Sequence, residues 1–101
     1  MNEQQIKQIE LGIKNGVDVT IYAKKEFDSG QMREIRWGLE DGSDASIYAK
    51  PEFDVHQMQM IRRGLEKGLD VTIYAKPCIK WTEMYGIRER LLKEKKWTNN
   101  K

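Results

Sequence analysis

One cysteine, one histidine and two prolines occur in 101 residues, and each scarcity removes a class of protein. A lone Cys78 forms no internal disulfide, which excludes a small scaffold stapled by disulfides, and it stands in a loop as an incidental thiol. His56 has no acidic, thiol or imidazole residues at ligand spacing, so no metal site and no histidine-based acid–base centre is expected. Also missing are a glycine-rich phosphate loop, a nucleophile elbow and a paired-histidine helix motif. The expectation is a protein that is not an enzyme and uses no cofactor. No apolar run approaches the roughly 20 residues of a membrane span or the core of a signal peptide, so a cytoplasmic chain without a membrane partner is expected. Charge of one sign is lacking too. Against 16 acidic side chains stand 18 basic ones, a net charge of +2 that does not announce nucleic acid. The one local surplus is at the end, where Arg88, Arg90, Lys93, Lys95, Lys96 and Lys101 outnumber Glu89 and Glu94.

What the chain does have is the composition of a folded, helix-rich domain, 34% charged and 39% apolar, and a length that suits one core rather than two. It also has a period. QIKQIELGIKNG from Gln5, QMREIRWGLEDG from Gln31, QMQMIRRGLEKG from Gln57 and EMYGIRERLLKE from Glu83 are spaced by 26 residues. Between them recur VDVTIYAKKEFD from Val17, SDASIYAKPEFD from Ser43 and LDVTIYAKPCIK from Leu69. A single domain over residues 1–101 follows, with units near 2–27, 28–53 and 54–79 and a C-terminal capping helix near 80–97.

The first half of each unit reads as a helix. Met32, Ile35 and Leu39 fall at i, i+3 and i+7 on one face. Asn2 with Gln5, Asp28 with Gln31 and Asp54 with Gln57 are capping-box pairs, and Phe27 and Phe53 precede the caps, where they staple onto Met32 and Met58. Gly16, Gly42 and Gly68 supply the left-handed residue that closes a helix. Long helices are predicted near 3–15, 29–41, 55–67 and 82–96. The second half has Asp18, Asp44 or Asp70 as an N-cap and Pro51 or Pro77 as a stop, leaving about seven residues that packing alone must hold as a helix. The β-branched run Val19, Thr20, Ile21 also permits a strand; the Asp caps and the Val19, Tyr22, Ala23 spacing favour the helix. Gly12, Gly38 and Gly64 lie inside the long helices, each at a cost of about 1 kcal/mol relative to Ala, which points to close approach of the neighbouring short helix. The fold class predicted is all-α, a short right-handed solenoid-like array of about seven alternating long and short helices. In the fourth unit Arg90, Glu94 and Lys80 replace the internal Gly, the terminal Gly and the Asp cap. Trp81 is expected to cover the end of the core, and Trp97 to be exposed.

The string QM-x-x-IR-x-GLE-x-G-x-D-V-x-x-YAKPEFD resembles short tandem repeats that recur in uncharacterised proteins of gut-type bacteria, their phages and their mobile elements. The resemblance runs from Gln5 to about Leu92. It implies a genomic neighbourhood in which small proteins often block a host or defence protein.

Three sets of residues invite a functional reading. The aspartates Asp18, Asp28, Asp44, Asp54 and Asp70 repeat, but each precedes a helix and is accounted for as a cap. Tyr22, Tyr48 and Tyr74, with Lys24, Lys50 and Lys76, have the residue types of a single-stranded nucleic-acid stripe; core packing of the tyrosines and a solvated lysine edge compete. The third set is the outer face of the long helices. Arg33, Arg36 and Trp37 lie at i, i+3 and i+4, Arg62 and Arg63 follow one unit on, and Tyr85 and Arg88 extend the row. Arg and Trp are enriched in binding hot spots, so this row is the expected partner site, facing an acidic patch on another protein. Its competitor is a plain solvated face, since Arg36 with Glu40 and Arg62 with Glu66 are i, i+4 pairs. The function expected is a non-enzymatic protein-interaction module, an inhibitor or adaptor. The alternatives are nucleic-acid binding through the same arginines and the basic last helix, and self-association.

Overall fold

The structure is a computed structural model that describes the backbone of residues 1–99 and the side chains of residues 1–95. Four α-helices, α1 (Glu3–Lys14), α2 (Ser29–Glu40), α3 (Val55–Glu66) and α4 (Trp81–Asn99), alternate with three short helical turns, and no strand is found among the described residues. The all-α class and the four long helices follow the sequence pattern. The environment expected for Trp97 lies outside the described residues.

The intervening segments are shorter than the predicted helices. Val19–Ile21, Ala45–Ile47 and Val71–Ile73 each form one turn of 3-10 helix, so the array has four α-helices and three 3-10 turns rather than about seven helices. Asp18 and Asp70 accept a hydrogen bond from the backbone two residues on, at Thr20 and Thr72, a tight cap that starts a single turn. The next residue, Tyr22, Tyr48 or Tyr74, already has φ between −119° and −127° and leaves the helix. Asp44 makes no such backbone bond and accepts from the Ser46 hydroxyl instead.

The long helices start as their sequences direct. Asn2, Asp28 and Asp54 each close a complete capping box with Gln5, Gln31 and Gln57. They end on Gly16, Gly42 and Gly68 at φ of 71–77°, where a residue with a Cβ is strained.

Packing is one-dimensional. The principal contacts run α1 on α2, α2 on α3 and α3 on α4, with each 3-10 turn against the helix before it, and the molecule measures 48 × 28 × 16 Å. Tyr22, Tyr48 and Tyr74 lie at the centre, fully buried with Phe27, Phe53, Met32, Met58, Met84, Ile35 and Ile61. Each tyrosine hydroxyl donates to a carbonyl of the long helix of its own unit, Gln8 at 2.7 Å, Glu34 at 2.6 Å and Met60 at 2.8 Å. That ring needs the internal glycines. A Cβ on Gly12, Gly38 or Gly64 would stand 2.0 Å from the tyrosine oxygen.

Candidate interaction surface

The row of arginines divides into two sets. Arg36 and Arg88 are buried, 7% and 9% exposed, and Arg62 is nearly so; these three occupy one position of the repeat, so the expectation that they face outward for a partner is corrected. The guanidinium groups of Arg36 and Arg62 reach back across the unit boundary. Arg36 Nε donates to Gln8 Oε1 at 3.0 Å, and Arg62 Nε to Glu34 Oε2 at 2.7 Å, in each case 28 residues earlier. The other end of each guanidinium meets its own helix, Arg36 at Glu40 and Arg62 at Glu66. Burial works against the Arg62 charge, and the bond to Glu34 together with the charges of Glu34 and Glu66 more than offsets it, raising its pKa. Glu34 is 2% exposed, so the pair is an internal ion pair between units and not a surface one.

At the third boundary the acceptor is missing. Met60 stands where Gln8 and Glu34 stand in the earlier units, and the buried Arg88 Nε has no hydrogen-bond partner. Arg88 turns its other nitrogen to Glu89 at 3.2 Å and lies 5.5 Å from the centre of the Tyr85 ring.

A second ladder runs beside the first and was not legible as such. Besides closing its cap, each Gln donates its Nε2 to the backbone just before the next helix: Gln5 to Phe27 O at 2.7 Å, Gln31 to Phe53 O at 2.7 Å, Gln57 to Ile79 O at 2.8 Å. Asn15 adds a cross-unit bond to Glu40 at 2.6 Å. Burial pushes the Glu40 carboxyl up, but the bonds from Asn15 and Arg36 outweigh it and hold it below the usual value.

What stays open on this face is Arg33, Trp37, Arg63 and Tyr85. Arg33 and Tyr85 share one position of the repeat and Trp37 and Arg63 another, one helical turn away. Trp37 is 37% exposed and its ring is flanked by three cations, with the guanidinium carbons of Arg33, Arg62 and Arg36 at 5.2, 5.3 and 5.9 Å from its centre. Contacts of this kind are worth about 0.5–1 kcal/mol each at exposed sites. Trp37 therefore braces Arg62 across the boundary while presenting the remainder of its ring to solvent.

Tyr22, Tyr48 and Tyr74 are unavailable for stacking on bases, because all three are fully buried. Burial pushes the Tyr74 phenol up to about 12 and Tyr48 higher still, against the lowering effect of Arg88 and Arg62 respectively. Trp81 does not cover the core; it is exposed and rests against His56, ring centres 5.5 Å apart. Cys78 is exposed in its loop. Among the described residues no three His, Cys, Asp or Glu side chains are grouped to hold a metal ion, and no helix is long and apolar enough to cross a membrane. Compared with known proteins, the chain matches no family model, no curated protein and no solved structure.

Proposed function

We propose that the protein is a non-enzymatic interaction module, a short solenoid-like array, expected right-handed, that binds an acidic patch of another protein through Trp37, Arg33, Arg63 and Tyr85. The supporting observation is the half-exposed Trp37 ring with Arg33 and Arg62 stacked on it. An aromatic anchor with cations around it is a common form of binding hot spot, and helices that latch to one another present it with little ordering cost. Within the repeat, the positions of Arg33 and Trp37 change identity from unit to unit, whereas the Gln, Gly, Tyr and Arg that join the units recur. Side chains that vary on a fixed frame suit recognition. Supported only by the resemblance of the repeat is the narrower reading, an inhibitor or adaptor from a phage or mobile element acting in the cytoplasm on a host or defence protein.

Nucleic-acid binding is the rival. It loses its three interior arginines, Arg36, Arg62 and Arg88, to ion pairs within the molecule, and Tyr22, Tyr48 and Tyr74 to the core. The test is an affinity capture from nuclease-treated host lysate, comparing wild type with Arg33→Glu, Trp37→Ala and Arg63→Glu combined. A protein held by the wild type and released by the variant supports the proposal. Loss of all captured material on nuclease treatment, with wild-type affinity for nucleic acid falling steeply with salt, moves the reading to nucleic acid.

A further inference from the structure

Helix α1 carries a face that every other long helix buries. Ile6 is 45% exposed, while Met32, Met58 and Met84 at the same position are fully buried. Met84 is decisive, because α4 has a unit before it and none after it among the described residues; this position therefore packs backward. Ile13 follows the same logic, 64% exposed where Leu39, Leu65 and Leu91 are half-buried. Glu10 stands at the position from which Arg36 and Arg62 reach back. Beside these residues lies an open depression of about 570 Å³ lined by Glu3, Lys7, Glu10, Leu11 and Lys14.

The charges on the adjoining face, whose Lys7 and Lys14 positions are exposed at Arg33 and Glu40 in α2, are self-complementary. Glu3, Lys7, Glu10 and Lys14 fall at i, i+4, i+7 and i+11, one stripe along the helix. A twofold axis between Gln8 and Ile9 that sets two copies of α1 antiparallel places Glu3 opposite Lys14 of the second copy and Lys7 opposite Glu10 of the second copy. The same axis brings Ile6 and Ile13 of one copy beside Ile13 and Ile6 of the other, along one flank of the stripe. Stacking on the far end of another copy fits worse. There Glu83 replaces the Gln latch and Arg90 replaces the small Gly, both exposed on α4.

We infer that the protein forms an isologous dimer through antiparallel pairing of α1, with the charge stripe setting the register and the isoleucines supplying the apolar contact. Symmetry doubles every error in such an interface. Lys7→Glu sets Glu against Glu twice, and Glu10→Lys sets Lys against Lys twice, so each variant alone should self-associate at least about tenfold more weakly. Mixed, the two variants restore both pairs. The experiment is analytical ultracentrifugation of the full chain from micromolar to millimolar concentration, for wild type, each variant and their equimolar mixture, with circular dichroism to confirm that each is folded. The inference requires a wild-type dimer, single variants that self-associate at least about tenfold more weakly, and a heterodimer in the mixture. A wild type that stays monomeric throughout, variants that dimerise as well as wild type, or a mixture that fails to pair would each overturn it.

Discussion

The boundary between the second and third units and the boundary between the third and fourth are built on the same backbone, yet one ladder is complete and the other is not. At the first, Arg62 bonds a buried Glu34; at the second, the equivalent Arg88 meets Met60, and its Nε is left without a partner. The glutamine latch is present at both, and the unit preceding each boundary carries its tyrosine-to-carbonyl bond. Repetition thus specifies how the helices stack, while individual residues decide how strongly a given boundary holds. An arginine that repeats is a joint; an arginine that does not is free for something else.

The comparison is broken most severely at Glu34. Glu34→Ala leaves Arg62 deep in the stack with only the outer Glu66, and should cost about 3–5 kcal/mol in denaturant unfolding. Gln8→Ala, which removes a neutral acceptor from Arg36, should cost about 1 kcal/mol. Equal costs would show that the charge of Glu34 is immaterial.

Next in size are the glycines. In α2, Gly38→Ala places a methyl 2.0 Å from the Tyr48 oxygen, so an overpacking cost of about 1–3 kcal/mol exceeds the helix-propensity gain of about 1 kcal/mol. In α4, Gly86→Ala meets nothing within 4 Å and should stabilise by about 1 kcal/mol. Opposite signs from one substitution, read as shifts in melting temperature, would locate the close approach in the tyrosine hydroxyl.

Met60→Glu supplies the absent rung. It gives up buried methionine packing, so its own effect on stability is small, and the informative quantity is its coupling to Arg88. A double-mutant cycle with Arg88→Met should give about 1.5–3 kcal/mol of favourable coupling, near the value of a charge-assisted bond. Coupling near zero would mean that the two side chains do not meet.

Smallest at neutral pH is the effect of the buried phenols. Their folded pKa values lie above the unfolded value of about 10, so the stability they contribute is complete below that pH. It is lost as pH rises toward about 12 for Tyr74 and beyond that for Tyr48. Absorbance titration should show Tyr74 ionising before Tyr48, and stability declining from pH 10 upward.

Most of the frame was legible. The period, the capping boxes, the closing glycines and the reason for Gly12, Gly38 and Gly64 are local chemistry written once per unit, and four α-helices resulted where four were expected. The short helices were predicted too long because each segment leaves the helix at its tyrosine, which is buried and reaches a carbonyl 14 residues back, a tertiary demand that propensity does not contain. The candidate site was legible only in half. Arg36, Arg62 and Arg88 looked like an outward row by helical spacing, although their recurrence at 26 residues was the same signal that marked the glycines as structural. Their partners Gln8 and Glu34 lie 28 residues away with no motif of their own, which only packing reveals. Trp37 and Arg33, which do not recur, survived as exposed residues.

The central claim, that repeated arginines are joints whose worth depends on the residue they reach, is tested most directly by unfolding free energies of Arg62→Met and Arg88→Met. Arg62→Met leaves Glu34 buried without its cation and should cost about 3–5 kcal/mol, whereas Arg88→Met removes a guanidinium whose buried Nε is unsatisfied and whose one bond is to the partly exposed Glu89, and should fall within about 1 kcal/mol of wild type or gain stability. Equal losses at the two positions would contradict the account.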